Sequence, residues 1–161
     1  MLARFTKGTV TAQTDLLTCE RPDGTSTAAA MPKQAILPHD AFHFVVEKTL
    51  GWRDAFFAAI AAGATLDDTT ARFHAVKKSS GQPPRIRQIE TLITCLQAEQ
   101  WGGGSDPAAF LAKLAAACRR ARTTPPPLAP ADLARVRLAL RDFGAAWRPL
   151  NPGQSIERPF P

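Results

Sequence analysis

The chain changes its hydrophobic period at Pro38. Ahead of that residue, "LARFT" and "LLTCER" alternate or favour the extended backbone, and "RPDGT" supplies Pro22, Asp23 and Gly24 for a tight turn into "STAAAM". Beyond it, apolar residues recur at steps of three and four. A chain with its strands ahead of its helices has no helical crossovers with which to build a parallel sheet, so the expected class is α+β with a small antiparallel sheet. Residues 1–32 form a meander of about three strands, 38–147 a helical part of four to five helices, and 148–161 an extended tail. In that tail "QSIERPF" can add an edge strand to the sheet. At 161 residues the chain suits a single domain, 1–161.

Breakers divide the helical part. Pro38 suits a helix start and Gly51 a left-handed stop, so a first helix lies between them. "RDAFFAAIAAG" is apolar nearly all round, which predicts the central helix, ending at Gly63. Asp67 or Asp68 can cap a short helix through His74, followed by an exposed loop over "KKSSGQPP". Ile86, Ile89, Ile93 and Leu96 make the inward side of the next helix, and Asp106 before Pro107 caps another with Phe110, Leu111, Leu114 and Cys118 inward. After the stiff "TTPPPLAP", Leu133, Val136, Leu140, Phe143 and Trp147 form one stripe, expected to pack on the helix carrying Phe56, Phe57 and Ile60.

Composition narrows the classes. No apolar run approaches the ~20 residues of a membrane span, and the first residues lack the apolar core of a secretory signal, so the expectation is a cytosolic protein with no membrane partner. Cys19, Cys95 and Cys118 form no C-x-x-C pair and are read as reduced thiols. The net charge of +6 is concentrated between Thr69 and Ala131, where Arg72, Lys77, Lys78, Arg85, Arg87, Lys113, Arg119, Arg120 and Arg122 face only Glu90, Glu99 and Asp106. Such a region can be a solvated face, or it can meet an acidic protein or a nucleic acid. The G-x-S-x-G elbow, the phosphate-binding G-x-x-x-x-G-K-[ST] loop and G-x-G-x-x-G are missing.

One segment carries chemistry. His39-Asp40-Ala41-Phe42-His43 places two imidazoles one helical turn apart, where both can reach one ion, as in H-E-x-x-H. Here aspartate replaces glutamate and is one methylene shorter. A wheel drawn at 100° per residue sets His39 in the apolar stripe and His43 on its rim, with Asp40 and Glu47 toward solvent and Phe44 unexplained. Glu47 lies roughly 12 Å along the axis from His39, so His74, the remaining histidine, is the expected third metal ligand, with Asp67, Asp68 and Cys19 as alternatives. Asp40 or Glu47 would act as general base on a metal-bound water. The bland alternative is a pair of hydrogen-bonding histidines on a core helix, with Asp40 favoured by the helix dipole and Glu47 paired with His43 or Arg53.

The segments "RFTKG", "LLTCERPDGT", "MPKQAILPHDAFHFVVEKTLGW" and "LNPGQSIERPF" resemble a family of small uncharacterised bacterial proteins carrying L-P-H-D-x-x-H-x-x-V-E. The resemblance covers about the first 60 residues and the tail, implies a bacterial cytosolic α+β protein, and brings no activity with it.

Two functions follow from the residues. The first is a site on His39, Asp40 and His43 that binds a divalent metal such as zinc, or a polar ligand, and serves as a metal-dependent hydrolase. The second is a non-enzymatic interaction module working through the basic middle region.

Overall fold

Residues 1–76, 84–104 and 106–161 are described by the computed structural model. Strands β1 (Leu2–Thr6), β2 (Thr14–Glu20), β3 (Ser26–Pro32) and β4 (Ser155–Pro159) form one antiparallel sheet in the order β3-β2-β1-β4. The β2–β3 turn closes as its sequence requires: Gly24 adopts φ 82°, and Asp23 Oδ1 accepts the Thr25 backbone N–H at 2.9 Å. The tail does add an edge strand, with Ile156 opposite Phe5.

Strand alternation sends Ala3, Phe5, Leu17, Cys19, Met31 and Ile156 to a buried inner face. Phe5 meets Phe44 and Phe143 edge-on, with ring centroids 5.5 and 5.1 Å apart. Burial of each such ring contributes about 1.5–3 kcal/mol, which makes this sheet face the floor of the core.

Six helices occur among the described residues: α1 (His39–Leu50), α2 (Phe56–Ala61), α3 (Leu66–Val76), α4 (Pro84–Gly102), α5 (Pro107–Arg120) and α6 (Pro130–Trp147). The fold is therefore α+β, with one more helix than the upper expectation. The short helix expected through His74 is α3, whose start differs from the sequence reading. Thr65 Oγ1 accepts the Asp68 N–H at 3.1 Å and donates to the Asp68 carboxylate at 2.7 Å. Thr65 is thus the capping residue, with its hydroxyl held by the Asp68 side chain three positions on. Asp106 caps α5 as expected, accepting from Ala108 and Ala109. The loop expected over "KKSSGQPP" lies, except for Pro84, outside the described residues.

Two packing expectations need correction. The central helix is α1, in which every residue from Ala41 to Glu47 is buried, whereas α2 has only six residues. The stripe Leu133, Val136, Leu140, Phe143 and Trp147 is buried as expected, but the principal partner of α6 is α1 rather than α2. Helix α1 is covered by the sheet, α2, α4 and α6.

Several of the described basic residues are engaged within the fold. Arg85 stacks on Trp52 at 4.0 Å and pairs with Asp54 at 3.0 Å, while Arg87 donates to the Arg122 carbonyl at 3.3 Å. Arg119 and Arg120 occupy the exposed last turn of α5, where positive charge suits the helix dipole. Among the described residues no helix is long and apolar enough to cross a membrane.

Candidate metal centre

Because α1 is regular across His39 and His43, the two rings lie one turn apart, edge to face with centroids 4.9 Å from each other, and turn the same nitrogen inward. Their Nε2 atoms stand 3.2 Å from each other. Helix α4 supplies the third group: Glu90 Oε1 lies 3.0 Å from His43 Nε2, and Glu90 Oε2 lies 3.7 Å from His39 Nε2. These three side chains can offer one ligand atom each to a common ion. His43 is 2% exposed, Glu90 13% and His39 29%, so the triangle is sealed at His43 and open beside His39.

The outer nitrogens of both rings face acceptors. His39 Nδ1 is 3.3 Å from Gln97 Oε1, and the Gln97 amide donates to Gln34 Oε1 at 2.9 Å, which turns its oxygen toward the ring. Glu90 and Gln97 are two turns apart on α4, so one helix face supplies both the inner carboxylate and the outer acceptor. His43 Nδ1 is 3.5 Å from Glu47 Oε1, an ion-pair separation without a well-formed hydrogen bond.

Glu47 itself is fully buried and heavily engaged. Its Oε1 accepts the Phe56 N–H at 3.0 Å, and its Oε2 accepts those of Phe57 at 2.8 Å and Ala58 at 3.4 Å. Ala55, at the N-cap of α2, has no side-chain oxygen, so a glutamate of the preceding helix satisfies the free N–H groups instead. The wheel placed this residue toward solvent; α2 folds back over it and removes the solvent.

Electrostatics follow from this enclosure. Burial opposes charge on the His43 imidazole, but the Glu47 and Glu90 carboxylates on either side outweigh it and raise its pKa to about 9. Burial likewise opposes the Glu90 charge, yet hydrogen bonds from His39 and His43 hold that carboxyl well below the usual range. Burial raises the pKa of Asp40, and Glu90 adds to the effect, against the pull of His43, His39 and His74. The carboxylates on either side of His43 favour positive charge at this point.

Of the residues singled out in the sequence, His39 and His43 converge, and Asp40 and His74 line a cavity that adjoins them. His74 is exposed on α3 and is not one of the three convergent groups. Glu47 stands behind His43, at the nitrogen turned away from the triangle. Asp67 and Asp68 are exposed, and Asp68 is engaged by Thr65. Cys19 is buried, and burial pushes its thiol up to about 12, so it stays protonated.

Glu90 was missed because it was counted only among the charges of the middle region. One signal was available: Ile86, Glu90, Ile93 and Gln97 follow steps of four, three and four, so the glutamate shares a face with two inward isoleucines. A carboxylate on such a face is rarely buried without a partner. Comparison with protein-family models, curated proteins and solved structures gives no match, so the chemistry of this centre is argued from its geometry alone.

Proposed function

We propose that the chain binds one divalent metal ion, such as zinc, through His39 Nε2, His43 Nε2 and Glu90, and uses it to activate water for hydrolysis. The observation that carries this reading is the size of the triangle. Tetrahedral bonds of 2.0–2.1 Å to zinc place neighbouring ligand atoms about 3.3 Å apart; the two Nε2 atoms are 3.2 Å apart, one Glu90 oxygen lies 3.0 Å from His43 Nε2 and the other 3.7 Å from His39 Nε2, and one ligand atom from each residue stays within 4.8 Å of the others. Two imidazoles and a carboxylate are a donor set of catalytic zinc, which leaves a position for water. An outer acceptor on His39, Gln97 Oε1, favours the tautomer that turns Nε2 to a metal, and Glu47 stands 3.5 Å from the outer nitrogen of His43.

In this reading Glu90 takes the third position that the sequence assigned to His74, and Asp40, on the cavity wall, is the general base. Glu47 positions His43 and holds no substrate, because its oxygens are already committed to α2. The second reading is a structural network in which an imidazolium at His43 bridges Glu47 and Glu90, favoured by the two carboxylates flanking that ring. Elemental analysis of protein purified without an affinity tag separates them. Near-stoichiometric zinc or another divalent metal, lost in His39→Ala and Glu90→Gln, supports the metal centre; a metal-free protein that takes up none on titration rejects it.

A further inference from the structure

The cavity beside the triangle has two kinds of wall. At one end are His39, His43 and Glu90; the remainder sets Leu17 and Ala29 from the sheet and Phe56, Leu66 and Phe73 from α2 and α3 beside the polar Gln34, Asp40, Thr70 and His74. Its volume is about 270 Å³, at or below the small end of ordinary ligand clefts. One part of the wall is a small side chain. Ala29 lies opposite Leu17 on β3 and lines the cavity, so a larger residue there would reduce the space between sheet and helices.

Charge also restricts what fits. Among the described residues no lysine or arginine lines this cavity, and His74 is its one basic side chain outside the triangle. A dication at the triangle would face Glu90 with Glu47 behind it, so its two positive charges are already balanced, and Asp40 adds a carboxyl to the same wall. Phosphoryl groups are normally held by arginine, lysine or a row of backbone N–H groups, and an anion here would meet acidic neighbours.

We propose that the centre takes a small, uncharged, largely apolar substrate that offers an oxygen to the metal and lays its hydrocarbon part against Leu17, Ala29, Phe56, Leu66 and Phe73. This presupposes the metal centre proposed above and adds the substrate class. Unbranched hydroxamic acids test it, because their head group chelates the metal while the tail length is varied.

The full-length chain is loaded with zinc, its metal content is measured, and binding of acetohydroxamic through octanohydroxamic acid and of inorganic phosphate is followed by calorimetry. Affinity should rise about fourfold for each added methylene until the cavity is full, with phosphate binding more weakly than the long-chain acids. Ala29→Leu should keep its zinc but lose the gain in affinity with chain length; Ala29→Val, a smaller change, should lose part of it. A flat chain-length series on zinc-loaded protein, or phosphate binding tighter than octanohydroxamic acid, overturns the substrate class alone. Failure of the chain to retain zinc is read before any probe is added and overturns the metal centre and this inference together.

Discussion

His43 Nε2 and Glu90 Oε1 stand 3.0 Å apart although they are 47 residues apart in the chain. The contact joins the most enclosed helix to α4, and its chemistry sets the first expectation. Glu90→Gln preserves the shape of the side chain while removing its charge, so metal retention should fall to background by elemental analysis with the helical circular dichroism signal unchanged. His39→Ala should do the same. His74→Ala should keep its full metal content, since His74 lies outside the triangle; loss of metal in that variant would return it to the position expected from the sequence.

Glu47 behaves differently on mutation. Replacement by alanine strands three backbone N–H groups and leaves His43 without one of its flanking carboxylates. Removal of one partner from such a buried charged arrangement costs about 3–5 kcal/mol, measurable by urea unfolding of the metal-free protein. Glu47→Gln retains acceptor capacity on one atom, and should lose less stability while weakening metal affinity about 10- to 100-fold through the altered His43. A Glu47→Ala protein as stable as the parent would contradict the capping role.

The pH dependence has opposite signs in the two states of the centre. Without metal, the folded-state pKa of His43, about 9, lies above its ordinary 6.5, so protonation stabilises the fold fully below pH 6.5 and this contribution is lost as pH rises through 9. Glu90 contributes above its ordinary 4.5, and its contribution disappears as the solution becomes more acidic. Metal ligation needs His43 neutral, so apparent metal affinity should increase from pH 6.5 to 9 with proton release on binding. Metal affinity that is flat across this interval would argue against His43 as a ligand.

Leu140→Ala should lower stability by about 2–5 kcal/mol through the cavity it leaves, because Leu140 is 2% exposed within the α6 stripe packed mainly on α1. The unfolding midpoint should move with no change in oligomeric state by light scattering. Dissociation of an oligomer with intact monomer stability would instead identify the stripe as an interface.

The legible parts of this fold are those written in local signals. Pro38 and Gly51 bracket α1, Asp23 and Gly24 make the β2–β3 turn, and the alternation in "QSIERPF" marks β4. His39 and His43 were legible as a pair because their spacing is a property of one helix. Glu90 was not, since its approach to His43 depends on how α4 lies against α1, and no periodicity within either helix sets that. Glu47 was misplaced for a related reason: a wheel assumes one wet side, and α1 has nearly none between Ala41 and Glu47.

The carboxylate of Glu47 touches two structures at once, the imidazole of a proposed ligand and the backbone of Phe56, whose side chain forms part of the cavity wall. A guest that displaced Phe56 would therefore act on the group behind His43, and a cation that drew His43 forward would act on the support of Phe56. Thermodynamic linkage makes this influence mutual: whatever factor a guest in the cavity applies to cation affinity, the cation must apply to the guest.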